Sequence, residues 1–226
     1  MKLFSVDSPI YKFMSQLYDI LKLNILWLIC SLPIVTFGAS TTAAFYVALQ
    51  MADDTEGYIA PAFFKSFKRN LKQGALMGII TLFECYVLWL DWQLYQASGK
   101  SAMILAFMIL LAFFVVLSNI YAYALMARYD NTIKQTFQNS FVISIRYLIH
   151  TIVLIVIIAL EVAIIYWNTT TQFIGFLIGP ACIFLTISGY AGRHFRILEP
   201  EQNRDTGNGE INVPNMDDPD EPDHLL

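Results

Sequence analysis

Long uncharged apolar runs alternate with short basic stretches along this chain, and the alternation predicts its helices. Ala75–Tyr95, Ala102–Ala127, Thr151–Trp167 and Phe173–Ala191 are apolar throughout. Crossing a hydrocarbon core of about 30 Å takes about 20 residues, so each reads as a span. A further span runs over Gln16–Val35, interrupted by Asp19, Lys22 and Asn24 and broken by Pro33 and Gly38-Ala39-Ser40. Thr41–Met51 is too short to cross unaided. Either it extends toward Tyr58 and crosses, or it pairs with the end of the first span as a re-entrant hairpin. The predicted fold is all-α, a polytopic transmembrane bundle of five to six spans over residues 1–198.

The same pattern predicts two surface arms. In Pro61–Gly74, helical pitch places Phe63, Phe64, Phe67 and Leu71 on one side and Lys65, Lys68, Arg69 and Lys72 on the other. Such a helix lies in the membrane interface, with its rings in lipid and its ammonium groups on anionic headgroups. A second, less clean stripe has Ile133, Phe137, Phe141 and Ile145 at four-residue spacing, beside Lys134 and Arg146. Near the start, Ser8-Pro9 opens a helix on which Ile10, Phe13, Met14 and Leu17 share a face.

Charge orients the spans. Basic residues stay on the cytoplasmic side, and here they cluster around residues 65–72, Arg128, Arg146 and Arg193–Arg196, whereas the opposite loops carry only Lys100. Trp89, Trp92 and Tyr95 mark the far boundary, where aromatic rings favour the headgroup level. The last residues, 199–226, hold nine acidic residues against one Arg. They read as a disordered acidic tail on the cytoplasmic side.

Composition agrees with a membrane protein: 57% of residues are hydrophobic and 14% charged, too few charges to solvate a soluble chain of 226 residues. Cys30, Cys85 and Cys182 lie far apart in apolar runs and read as small buried hydrophobes. No small-residue cleavage site follows the first apolar run, which argues against a removable leader. Phosphate-loop, HExxH, GxSxG and CxxC patterns are absent, and His150, His194 and His224 are scattered. The expectation is no enzyme, no cofactor and no metal, and no nucleic-acid partner; the lipid bilayer is the partner that composition itself implies.

Ionisable and amide groups inside the spans are the candidate chemistry, because desolvating them is costly unless they are paired or wetted. Glu84 and Glu161 lie at similar depths, about 15 Å from the basic ends of their apolar runs at 1.5 Å per residue. Two such carboxylates could share a proton, or each could hydrogen-bond a neighbouring helix. Asp91 shares a face with Glu84 nearer the outer boundary and reads as water-exposed or capping. Asn24 and Asn119 read as interhelical hydrogen-bond partners. Gly74–Gly78 and Gly175–Gly179 are GxxxG motifs that permit close helix contact, within the chain or in a homo-oligomer. Gly179-Pro180 predicts a kink.

The opening span ending in Leu32-Pro33, then Gly38-Ala39-Ser40-Thr41, then Phe63-Phe64-Lys65-Ser66-Phe67-Lys68-Arg69-Asn70-Leu71-Lys72-Gln73, resembles the YesL-like family of small bacterial membrane proteins, a domain of unknown function. The resemblance extends to about Arg196 and excludes the acidic tail. Members are often encoded beside binding-protein-dependent sugar importers and polysaccharide-utilisation enzymes. The resemblance therefore implies the bacterial cell membrane and an accessory role with ABC-type saccharide importer subunits, and it supplies no catalytic residues. The alternative from another class is a small secondary transporter or channel that uses the buried carboxylates.

Overall fold

The computed structural model describes residues 9–53 and 58–205, and among these every regular element is helical. In chain order they are α1 (Pro9–Ser31), a short 3-10 turn (Ile34–Thr36), α2 (Phe37–Ala52), α3 (Ile59–Arg69), α4 (Leu71–Ala97) and α5 (Ala102–Asn119). They continue with α6 (Ala122–Arg128), α7 (Ile133–Arg146), α8 (Leu148–Ile165) and α9 (Thr169–Asp205). By length and composition five stretches can cross a membrane: Ile34–Ala52, Leu71–Ala97, Ala102–Arg128, Leu148–Ile165 and Thr169–Phe195. The protein is an all-α polytopic bundle.

The expected Gln16–Val35 span is not among those five. With 23 residues α1 is long enough, but Gln16, Asp19, Lys22 and Asn24 leave it too polar, and Pro33 stops the helix short of Val35. Pro9 is helical, while Ser8 of the expected opening signal lies outside the described residues.

The short element expected to cross or re-enter is the centre of the molecule. All of α2 from Gly38 to Leu49 is buried, and α1, α3, α4, α6 and α9 pack around it. Its start lies on the first turns of α4, where a Cβ on Gly38 would collide with the Gly74 carbonyl oxygen and the Gly78 backbone. Its end lies against α6 and α9: Asp53 pairs with Arg128 at 3.4 Å, and Gly192 lies beside Asp53 and Leu49. Gly78 is about 10 Å along α4 from Leu71 at 1.5 Å per residue; Arg128 ends α6, and Gly192 lies next to Arg193 near the end of the Thr169–Phe195 span. Both ends of α2 therefore meet the basic end of the bundle. The helix lies across that end, as a re-entrant element does, although its length alone would allow a crossing. The Gly74–Gly78 motif serves this contact inside the chain.

Two breaks in the spans are repaired by side chains. Pro180 has no N–H to give Phe176, and the Asn24 amide donates to the carbonyls of Phe176 and Leu177 at 3.0 and 2.8 Å. An unsatisfied carbonyl in hydrocarbon is costly, so this pins α1 to α9. The expected single helix over Ala102–Ala127 is two, α5 and α6. The Leu117 carbonyl at that break accepts from the hydroxyls of Ser140 and Ser144, at 3.3 and 2.9 Å. The Tyr121 N–H donates to Ser140 Oγ at 3.3 Å.

That repair corrects the reading of the second arm. On α7 the buried face is Thr136, Ser140, Ile143 and Ser144, while Ile145 of the expected apolar stripe is exposed. The hydroxyl face turns inward because it supplies what the α5–α6 break lacks. A capping box between Thr132 and Gln135 starts the helix. The first arm is corrected in part: Phe63 is fully buried within the protein and not in lipid, Phe67 is half-buried against the core, and Phe64 and Leu71 are exposed. α9 continues through Asp205, and residues 206–226 of the expected acidic tail lie outside the described residues.

Candidate functional site

Glu84 and Asn119, two of the candidate polar residues, meet. Antiparallel packing of α4 and α5 brings the Asn119 amide to Glu84 Oε2, to which it donates at 2.7 Å. The same amide donates to the Val115 carbonyl at 2.9 Å, holding the last turn of α5 before its break. Thr81 Oγ1 extends the network, donating to Asn119 Oδ1 at 3.2 Å and lying 2.9 Å from the Tyr123 hydroxyl. The result is a continuous polar chain, Glu84–Asn119–Thr81–Tyr123, across three helices.

Glu161 is elsewhere. Its Oε1 accepts from Thr186 Oγ1 at 2.6 Å, joining α8 to α9, and its Oε2 is buried without a hydrogen-bond partner among the described residues. Extensive packing occurs within the α4–α5 pair and within the α8–α9 pair, and not between α4 or α5 and either α8 or α9. The two carboxyls belong to two separate hairpins and do not share a site. Asp91, expected near water, is buried on α4, and its Oδ2 has no partner among the described residues.

Sequence reasoning missed two residues here. Thr186, one of many threonines in an apolar run, carried no signal of its own. His194 was set aside as scattered, yet it is buried beside His150, ring centroids 5.3 Å apart. Tyr147 stacks on it at 4.2 Å and the Tyr121 ring meets it edge-on at 6.1 Å. Neither ring nitrogen of His194 has a partner among the described residues. No group of three His, Cys, Asp or Glu is placed to hold a metal among them either.

The basic arm stands apart from these groups. Lys65, Lys68, Arg69 and Lys72 are all exposed, and Arg69 lies 3.5 Å from Asp130 in the loop that follows α6. Lys65, Lys68 and Arg69 lie on α3 and Lys72 on the first turn of α4; α3 is held by the buried Phe63 and Ser66 and by Asn70 at its end, whose amide donates to the Ser66 carbonyl at 3.1 Å.

Residues 20–92 match the family model described as "Protein of unknown function, DUF624". The chain is also 28% identical over 146 residues to a protein of Bacillus subtilis (strain 168) described as "Uncharacterized protein YesL". That match covers 62% of this chain and 68% of the relative. The chain is thus similar to YesL, and over residues 20–92 it matches the DUF624 family. The stretch that matches the family model carries the buried α2, the basic arm, Glu84 and Asp91, whereas Asn119 and Glu161 fall beyond it. No solved structure matches.

Proposed function

We propose that the protein is an accessory membrane component that docks to a saccharide importer through its basic cytoplasmic end. The observation that supports this most is where the rigid core lies. Burial is concentrated in α2, α3, α6 and parts of α7 and α9, all at the basic end, so the exposed cations of α3 are presented on the most densely buried part of the molecule. A pre-organised charged surface loses little entropy on docking. The family resemblance supplies the saccharide context.

The test is co-purification in mild detergent with a tagged full-length chain. Importer subunits are expected with the parent protein and are lost when Lys65, Lys68 and Lys72 are replaced by Glu. A solitary protein under those conditions overturns the proposal.

A small carboxylate-using transporter is the competing reading. It gains little from Glu84 and Glu161, which close on different partners in different hairpins. Proton-linked uptake abolished by Glu84→Gln in a folded protein would favour it.

A further inference from the structure

We infer that the chain is built from two copies of one module in the same orientation, and that Glu84–Asn119 and Glu161–Thr186 are one intramembrane proton-binding site occurring twice. This goes beyond the docking proposal and does not depend on it.

The register carries the duplication. The interval from Arg69 to Arg146, the ends of α3 and α7, is also the interval from Leu71 to Leu148, the starts of α4 and α8. It is again the interval from Glu84 to Glu161. Burial follows the same shift: Ile59, Phe63 and Ser66 of α3 correspond to Thr136, Ser140 and Ile143 of α7, and all six are buried. Gly74 and Met77 of α4 correspond to Thr151 and Leu154 of α8, and these four are buried too.

The returning spans repeat as well. Ala102–Arg128 and Thr169–Phe195 are each 27 residues long. With their starts aligned, Asn119 coincides with Thr186, and the buried Leu117, Tyr121 and Ala124 coincide with Phe184, Ser188 and Ala191. Few side chains are identical between the copies. What repeats is which positions are buried and where the carboxyl meets a neutral donor from the returning span. Each unit thus comprises a surface arm, an outgoing helix and a returning span. Both arms lie at the basic end, so the copies are parallel, as in transporters whose halves are related by an axis along the membrane normal.

The chemistry of the site follows from its surroundings. Each glutamate lies about 20 Å along its helix from Leu71 or Leu148, at 1.5 Å per residue. Facing Glu84 are Asn119 from α5, Thr81 of its own helix and, one link further, the Tyr123 hydroxyl of α6, with the Cys85 thiol adjacent. Facing Glu161 are Thr186 and the Cys182 thiol of α9. Neither carboxyl has a cation partner among the described residues. A carboxyl held by one neutral donor in hydrocarbon has the proton as its available counter-charge. A proton from the aqueous phase adds to one carboxylate oxygen, and the donor contact to the other oxygen stays in place. Glu161 Oε2, buried and bare, is the oxygen open to it.

The test is infrared spectroscopy of the full chain in lipid nanodiscs, reading the carboxylic-acid C=O stretch through a pH titration. Beside any band of the buried Asp91, which an Asp91→Asn background removes, two bands are expected from the glutamates. Glu84→Gln should remove one and Glu161→Gln the other, each leaving about half the intensity. Exchanging the donors, Asn119→Thr together with Thr186→Asn, keeps both glutamates and should interchange the two band positions, a readout that survives if a Gln variant fails to fold. One shared band abolished by either Gln substitution, band positions unmoved by the exchange, or no protonated carboxyl at any pH at which the protein stays folded overturns the inference.

Discussion

The basic end of the bundle and its outer half are held together by different means. At the basic end, α2 has no exposed side chain from Gly38 to Leu49, backbones meet at Gly38, Gly74 and Gly78, and the hydroxyls of α7 close the α5–α6 break. In the outer half, α5 and α8 expose many of their Phe, Ile and Leu residues, among them Phe107, Leu110, Leu160 and Ile164. In water such a surface would drive aggregation; in a bilayer it is solvated by acyl chains as apolar as itself. The specificity of the fold therefore resides at one end, and the other end supplies length. Coupling between distant parts of the chain should concentrate where protein packs on protein.

Substitutions that fill the backbone contact test this contrast most severely. Gly38→Leu places a side chain where the α4 backbone already lies, so about 3 kcal/mol or more of destabilisation is expected. The readout is loss of monodisperse protein on extraction in mild detergent; unchanged yield and unfolding midpoint would show that α2 and α4 are not locked.

Removing both hydroxyls from the α5–α6 break, Ser140→Ala with Ser144→Ala, leaves the Leu117 carbonyl and Tyr121 N–H without partners and should cost about 1–3 kcal/mol. Denaturant unfolding in bicelles measures it. A cost no larger than that of a lipid-facing alanine would mean that α7 is held by something else. Asn24→Leu should cost about 1–2 kcal/mol in the same assay, and about nothing once Pro180→Ala restores an N–H for Phe176. If the two changes are simply additive, the pinning of α1 to the proline break is wrong.

The smallest effect belongs to the outer half. Phe107→Leu and Leu110→Val should shift stability in bicelles by less than about 0.5 kcal/mol, as expected away from packed features. A larger loss would reveal a protein partner on that face.

What the amino-acid order determined by itself is everything that depends on a residue's exchange with its solvent. The number and place of the long apolar runs, the breaks at Pro33 and Pro180 and the presence of two arms follow from local hydropathy and backbone chemistry, and those signals need no neighbour. What only the tertiary structure decided is which groups meet. Whether Ser140 faces lipid or a broken helix, whether Glu84 finds Glu161 or Asn119, and whether α2 crosses or lies across the basic end depend on partners far away in the chain. A polar group in a low-dielectric setting takes whichever donor or acceptor the packing brings to it, and the order of residues along one helix does not record which one that is.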